Sequence, residues 1–266
     1  MKKILVPTDF SECANNALAY AVDIANTFGS TITLLHTYQV YSKAGSFISV
    51  ESFMKEDATN AMLELTKNTG ALLKNNAQLE SKIIEGDTID IVMDLAQHYM
   101  YDLIVMGTQG ASGLEEVFIG STANNIIKNI HVPVLVVPAG FAFRPIQTIV
   151  LAVDEEEDFS DLMFFPLVQI AQSQAAMLRI YHKDVANDGL NAAVDKYLKD
   201  IERTYHYELD ADNINESINA FIAEYNADLL CMIRRRRGIL GEVFHESITA
   251  KEVFNSPVPL LVLQES

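Results

Sequence analysis

Three glycines with a serine and a threonine behind them, Gly107-x2-Gly110-x9-Gly120-Ser121-Thr122, are the residues of this chain best suited to hold an anion. Glycine lets backbone N–H groups approach a ligand where a Cβ would stand in the way. A helix beginning at Ser121 adds free N–H groups and the positive end of its dipole. The hydroxyls of Ser121 and Thr122 are two further donors. The segment follows the apolar run Leu103–Met106, so it reads as strand, glycine-spaced loop and helix start. A plain turn with helix-capping glycines would also use such residues, but three glycines placed behind a strand favour a phosphate cradle. Asp9 closes the first apolar run, Ile4-Leu5-Val6-Pro7-Thr8. In a doubly wound sheet it faces the same crevice, at the carboxyl ends of the strands where the strand order switches.

Other chemistries lack their residues. No Gly-x4-Gly-Lys-Ser/Thr loop is present. Gly110-Ala111-Ser112-Gly113 does not have the spacing of a nucleophile elbow. His245-Glu246 is followed by Thr249 where a zinc-peptidase helix needs its second histidine. The six histidines are dispersed, and His36 and His182, which end corresponding strands, read as structural. Cys231 lies in an apolar run and reads as a small buried hydrophobe, with Cys13 on the first helix. Nothing assembles a nucleophile, a base and an orienting group, so the chain reads as a binder and not as an enzyme.

Elements that could position the loop are legible as periodicities. Ile4–Val6, Ile32–His36, Leu79–Ile84, Leu103–Met106 and Val134–Val137 are strand-length apolar runs. Between them the three- and four-residue spacing of Ala14, Leu18, Ala21, Val22 and Ala25 predicts a helix over Glu12–Thr27, capped by Ser11 or Asp9 and ended by Gly29. Further helices are expected over Ala58–Asn75, Thr88–His98 and Ser121–Asn129. Strands alternating with helices imply a parallel sheet with right-handed crossovers.

The pattern then occurs again. Residues 3–9, Lys-Ile-Leu-Val-Pro-Thr-Asp, correspond to residues 148–154, Thr-Ile-Val-Leu-Ala-Val-Asp. Leu34-Leu35-His36 corresponds to Ile180-Tyr181-His182, Asp102–Met106 to Asp228–Met232, and Val132–Val137 to Val258–Leu263. Strands are expected at Ile149–Val153, Met177–Tyr181, Thr204–Leu209, Leu229–Ile233 and Leu260–Leu263. Two domains follow, 1–142 and 143–266, divided near Pro138, Gly140 and Pro145. The offset between halves drops by about twenty after the second strand, so residues 38–57 are an insertion of the first half. A loop this long in a compact fold is usually functional or disordered, and it is expected to cover the crevice as a lid.

Composition sets outer bounds. The 266 residues are 49% hydrophobic and 21% charged, with a net charge of −17. That charge disfavours nucleic acid, whose phosphates need neutralising, and anionic membranes. No apolar run is long enough for a membrane helix. The polar start, Met1-Lys2-Lys3, is unlike a signal peptide, and a cytoplasmic location is expected.

The loop spacing, the opening Ile4-Leu5-Val6-Pro7-Thr8-Asp9 and the close His131-x-Pro133-Val134-Leu135-Val136-Val137-Pro138 resemble the ATP-binding pattern of the universal stress protein family. The resemblance covers the first half and extends to the strands of the second. It implies an α/β fold: two tandem doubly wound parallel five-stranded sheets, Rossmann-like and of the adenine nucleotide alpha hydrolase type, packed as an internal pseudo-dimer. It implies ATP, or ADP or AMP, held in the first half of a bacterial stress-response regulator that acts on a protein partner and possesses the option of homodimerising. Gly107, Gly110, Gly120, Ser121 and Thr122 would hold the phosphates. Pro7, Thr8 and Asp9 would lie near the adenosine, with Asp9 also near the Mg²⁺ that ATP carries. Thr37 would offer backbone contacts to adenine, and Met106 and Gln109 would complete the set. Gln109 and Ala111 stand where the family often carries basic or histidine side chains, so the phosphates have fewer cationic partners. In the second half Ile233, Arg236 and Glu246 stand where Gly107, Gly110 and Gly120 do, and only Ser247 survives. Asp154 is followed by Glu155, Glu156 and Glu157. That half reads as a degenerate copy serving packing, with Arg234–Arg237 as a solvated or acid-paired loop. A slow Asp9- and metal-dependent ATPase and a nucleotide-free scaffold are the alternatives.

Overall fold

A computed structural model describes residues 1–40, 47–108, 119–153, 159–182, 188–208, 213–234 and 256–264. Its first half runs β1 (Lys3–Pro7), α1 (Glu12–Phe28), β2 (Thr31–Tyr38), α2 (Phe47–Gly70), β3 (Gln78–Glu85), α3 (Thr88–Tyr99), β4 (Leu103–Gly107), α4 (Ser121–Asn129) and β5 (Val134–Val137). The second half runs β6 (Thr148–Val153), α5 (Asp161–Gln174), β7 (Met177–His182), α6 (Asp188–Asp195), β8 (Arg203–Tyr207), α7 (Ile214–Glu224), β9 (Leu229–Arg234) and β10 (Leu260–Gln264).

Local chemistry accounts for the ends of the first helices. Ser11 is the N-cap of α1 and its hydroxyl accepts the Ala14 N–H, while Gly29 closes the helix in the left-handed conformation at φ 65°. Asp87 caps α3 by accepting the N–H groups of Ile89 and Asp90. The helix expected at Ala58–Asn75 instead spans Phe47–Gly70. Asn75 and Asn76 have positive φ, 53° and 65°, and belong to a turn no helix can continue through. The start moves because residues 47–57 are helical as well. The inserted segment is therefore not one long loop: Tyr38 still belongs to β2, residues 41–46 lie outside the described residues, and the rest lengthens α2. The apolar stripe that periodicity detects begins only at Ala58 and Met62, both buried, whereas Phe53 is 68% exposed. Periodicity detects a helix by its buried stripe, and Phe53 is not part of one.

The strands do not form two sheets. They make one ten-stranded sheet in the order β3-β2-β1-β4-β5-β10-β9-β6-β7-β8. Within each half every pair is parallel. The halves join where β5 meets β10 antiparallel, with Leu260 opposite Val136, Leu261 opposite Leu135 and Val262 opposite Val134. The expected pseudo-dimer is thus a shared sheet, each half covering the other's last edge. The Gln264 side-chain amide reinforces the joint by donating to the Ile127 carbonyl of α4, at 3.3 Å. Both sheet faces carry apolar cores that run through the joint. One joins Ile4, Val105 and Leu135 to Leu261, Cys231 and Ile149; the other joins Leu5, Ile104 and Val134 to Val262, Leu230 and Val150.

The two aspartates matched by the repeat do equivalent work. Asp102 accepts the backbone N–H groups of Lys2 and Lys3 at 2.5 and 3.0 Å. Asp228 accepts those of Gln147 and Thr148 at 2.8 and 3.0 Å. Each ties the start of its half's first strand to the neighbouring strand.

Leu135 and Leu261 face each other in a core common to both halves. Leu261→Ala should cost about 2–5 kcal/mol and lower the urea midpoint of the whole chain in a single transition. Loss of one half while the other stays folded would show that the halves are independent.

Candidate functional site

The order β3-β2-β1-β4-β5 switches direction between β1 and β4, and that is where an open α/β sheet leaves a crevice at its carboxyl edge. Pro7, Thr8 and Asp9 arrive from β1, and Met106 and Gly107 from β4. These strands are adjacent, with Leu5 level with Ile104. Thr108 continues from β4, its N–H donating to the Val137 carbonyl at 3.1 Å and its carbonyl accepting the Gly120 N–H at 2.6 Å. This second bond brings the start of α4, with Ser121 and Thr122, to the same edge. Gln109 and Gly110 lie outside the described residues.

Helix α4 begins without a cap, because its N-cap residue Gly120 has no side chain. Its first N–H groups therefore look for an acceptor elsewhere, and Ser121 and Thr122 are exposed beside them. Across the edge, Asp9 is exposed and its carboxylate accepts the Ser11 N–H at 3.0 Å. Thr8 is buried: its N–H donates to Leu35, its hydroxyl accepts the Phe10 N–H at 3.0 Å, and its carbonyl meets His36 Nδ1 at 2.9 Å. His36 also lies against the Phe10 ring, 4.4 Å between centroids. His36 is thus a structural residue that shapes the turn after β1.

Thr37 lies inside β2, not after it. Its place still suits a ligand. Peptide groups alternate between the two neighbours of a strand, and Leu35 turns its carbonyl toward β1, where Thr8 binds it. Two residues on, Thr37 turns its own peptide groups to that same side, and β1 has ended at Pro7. The Thr37 hydroxyl is held by Thr88 at 2.6 Å.

Packing by itself asks for glycine at position 107. A Cβ built there would stand 2.6 Å from Cys13 Sγ and 3.1 Å from the Cys13 carbonyl oxygen. The first turn of α1 packs directly on the end of β4, and Cys13 Sγ lies 3.9 Å from the Thr108 hydroxyl. Cys13 and Thr108 are residues that motif reading passed over. Their signal is weak in a sequence, since the contact between them joins residues 95 positions apart.

The second half departs as its residues imply. Ile233 takes the Gly107 position and is buried; Leu162, two residues past the α5 N-cap as Cys13 is past that of α1, is 80% exposed. Asp154, Glu155, Glu156, Glu157, Arg236, Glu246 and Ser247 lie outside the described residues. His182 ends β7 at the position matched to His36 of β2, but it is 3% exposed, stacks near-parallel on Tyr205 and Tyr207, and its Nε2 finds no partner. Burial pushes its pKa down to about 4. Among the described residues no group of three or more His, Cys, Asp or Glu side chains is placed to hold a metal ion, and no helix is long and apolar enough to cross a membrane.

The profile of the Universal stress protein family matches this chain twice, at residues 1–138 and 148–264. Universal stress protein MJ0531 of Methanocaldococcus jannaschii is 32% identical over 141 residues, covering 51% of this chain and 81% of its own length. Universal stress protein MJ0577 of the same organism is 31% identical over 153 residues, covering 51% of this chain and 94% of its own. The crystal structure of a universal stress protein from Archaeoglobus fulgidus has the whole fold: its TM-score is 0.72 over 99% of this chain and 96% of that chain, at 22% identity.

Two outcomes are expected. Gly107→Ala should destabilise by about 1–3 kcal/mol through overpacking, and adding Cys13→Ala should restore part of it; thermal melts that show no rescue would refute the contact. His182 is neutral when folded, with a pKa of about 4 against 6.5 for the ordinary side chain. The unfolded chain therefore binds the extra proton first, and stability falls as pH drops from 6.5 to about 4, by roughly 3 kcal/mol in all. His182→Phe should flatten that part of the pH–stability curve.

Proposed function

Because this chain belongs to the universal stress protein family, we propose that it is an ATP-binding regulatory protein of the stress response, with one nucleotide held in its N-terminal half. The observation that carries the reading is the uncapped start of α4 at the β1/β4 switch, with exposed Ser121 and Thr122 hydroxyls beside it and Asp9 across the crevice. A polyphosphate matches the first group: helix-terminal N–H groups and hydroxyls are donors for its oxygens. An exposed carboxylate opposite them suits a polyphosphate that arrives with its divalent cation, so Asp9 would face the Mg²⁺ of Mg-ATP and not bare phosphate. Bound Mg²⁺ would supply charge neutralisation there. Pro7, Thr8 and Thr37 would meet the nucleoside, where the Thr37 peptide groups face the space beyond β1. Met106, Gly107, Gln109 and Gly110 would line the turn from β4.

Each residue's role here is to hold and orient. The Asp9 carboxylate is already engaged by the Ser11 N–H, and His36 by the Thr8 carbonyl. We therefore read ATP as a ligand that biases conformation and partner choice, not as a substrate. ADP and AMP share the nucleoside contacts and compete for the same place. The second half, with Ile233 in the Gly107 position, packs and completes the sheet.

Titration calorimetry with Mg-ATP should give one nucleotide per chain. Thr122→Glu places a negative charge at the α4 start, where it favours the helix but repels phosphate. ATP affinity should fall by about ten- to a hundredfold, or roughly 1.4–2.8 kcal/mol, while the melting temperature holds or rises. Equal binding by the variant, or two equivalent sites, would sink the assignment.

A further inference from the structure

The segment joining the halves, residues 138–147, is bound at both ends by side chains whose positions carry meaning. Its start is at the crevice: Thr108, next to Gly107, donates its N–H to Val137. Asn16, in α1 just past the Ser11 cap, then donates to the carbonyls of both Pro138 and Phe141, each at 3.1 Å. Gly140 bends the chain there at φ 71°, with open space around it. Phe143 sets its ring edge-on against Tyr20 of α1, at 4.9 Å. Arg144 lies over the Phe141 ring and pairs with Asp228 at 2.7 Å. The other oxygen of Asp228 accepts the N–H groups of Gln147 and Thr148, where β6 begins.

The first half shows what this adds. Asp102 holds the start of β1 through Lys2 and Lys3 without any such connection. At Asp228 the same anchoring aspartate has in addition an arginine delivered by the joining segment. One more observation marks the place. The Tyr20 hydroxyl is fully buried and has no hydrogen-bond partner, yet the Asp228 carboxylate and the Arg144 guanidinium are both near enough to act on it electrostatically. A buried hydroxyl left unpaired disfavours its arrangement against one that pairs it.

We propose that residues 138–147 are a strap through which the second half senses the nucleotide crevice of the first, with Asn16 as its clamp and the Arg144–Asp228 pair as its far anchor. Ligand at the β1/β4 edge bears on Thr108 and on the α1 start, and both hold the strap's first residues. The strap ends on the hydrogen bonds that pin β6 to β9. A hinge at Gly140 between two fixed points is the arrangement in which a small displacement at one end is delivered at the other. The ligand arm rests on the reading of the first half as an ATP site; the mechanical arm does not.

The natural chain has no tryptophan, so Phe143→Trp places a single indole on the strap. Its emission should change and saturate with Mg-ATP. In the same background Asn16→Ala should abolish the change, while calorimetry still finds ATP binding within about threefold, because Asn16 lies outside the binding set. Without nucleotide, Asn16→Ala and Arg144→Gln should each speed hydrogen exchange at the Gln147 and Thr148 amides by about tenfold or more, although Asn16 touches neither residue. Exchange unchanged by Asn16→Ala would overturn the strap whatever ATP does. ATP binding by calorimetry with a silent indole would overturn it as a sensor. If no ATP binds, the proposed function fails, and the exchange result alone decides the strap.

Discussion

Three residue pairs, Val136 with Leu260, Leu135 with Leu261 and Val134 with Val262, hold the two halves in one sheet. A strand edge is a row of unpaired N–H and C=O groups, and in each half the last strand has such an edge. Pairing the edges removes both at once. It also lets each face of the sheet carry one unbroken apolar core, from Ile4 across to Ile149 and from Leu5 across to Val150. Because the pairing is antiparallel while everything else is parallel, the carboxyl edges of the two halves point opposite ways. The crevice between β1 and β4 therefore shares its edge of the sheet with the amino ends of β6 and β9. The connection from β5 to β6 has only to run along that edge, and this brings Arg144 to Asp228 and Phe143 to Tyr20.

Inside this near-symmetric frame the halves have diverged where packing meets chemistry. Gly107 and Cys13 allow α1 to settle on the end of β4, and Gly120 leaves α4 open at its start. The second half has Ile233 at the first of these positions and leaves Leu162 in solvent. His36 is spent on the Thr8 carbonyl, whereas His182 is sealed against two tyrosines and kept neutral. The same strand position thus serves the turn after β1 in one half and a closed aromatic core in the other. What survives in both copies is the anchoring aspartate, Asp102 and Asp228, because both need their first strand held at the same place.

Much of this was legible in the residues. Apolar runs such as Ile4–Val6 and Leu103–Met106 are buried on both faces, so their composition alone marks them as strands. Ser11, Gly29 and Asp87 state helix ends through local hydrogen bonds and backbone preference, which need no tertiary context. The matched segments gave the tandem order. Those signals are local or periodic, and a sequence displays such things directly.

Other features depended on distant residues meeting. That the two five-stranded units share one sheet is a matter of edge pairing, and Val134–Val137 and Leu260–Leu263 read the same whether paired or not. The extent of α2 was hidden because the spacing that marks a buried stripe begins only at Ala58 and Met62. The packing need for glycine at position 107 shows only when Cys13 is found where its Cβ would be. Arg144, Asn16 and Tyr20 have no motif at all; they acquire a role from carbonyls and carboxylates that chain folding brings beside them. Periodicity and capping are properties of neighbours in the chain, and so they were determined by the sequence itself. Close approach, edge pairing and charge pairing are properties of neighbours in space, and only the tertiary structure decided them.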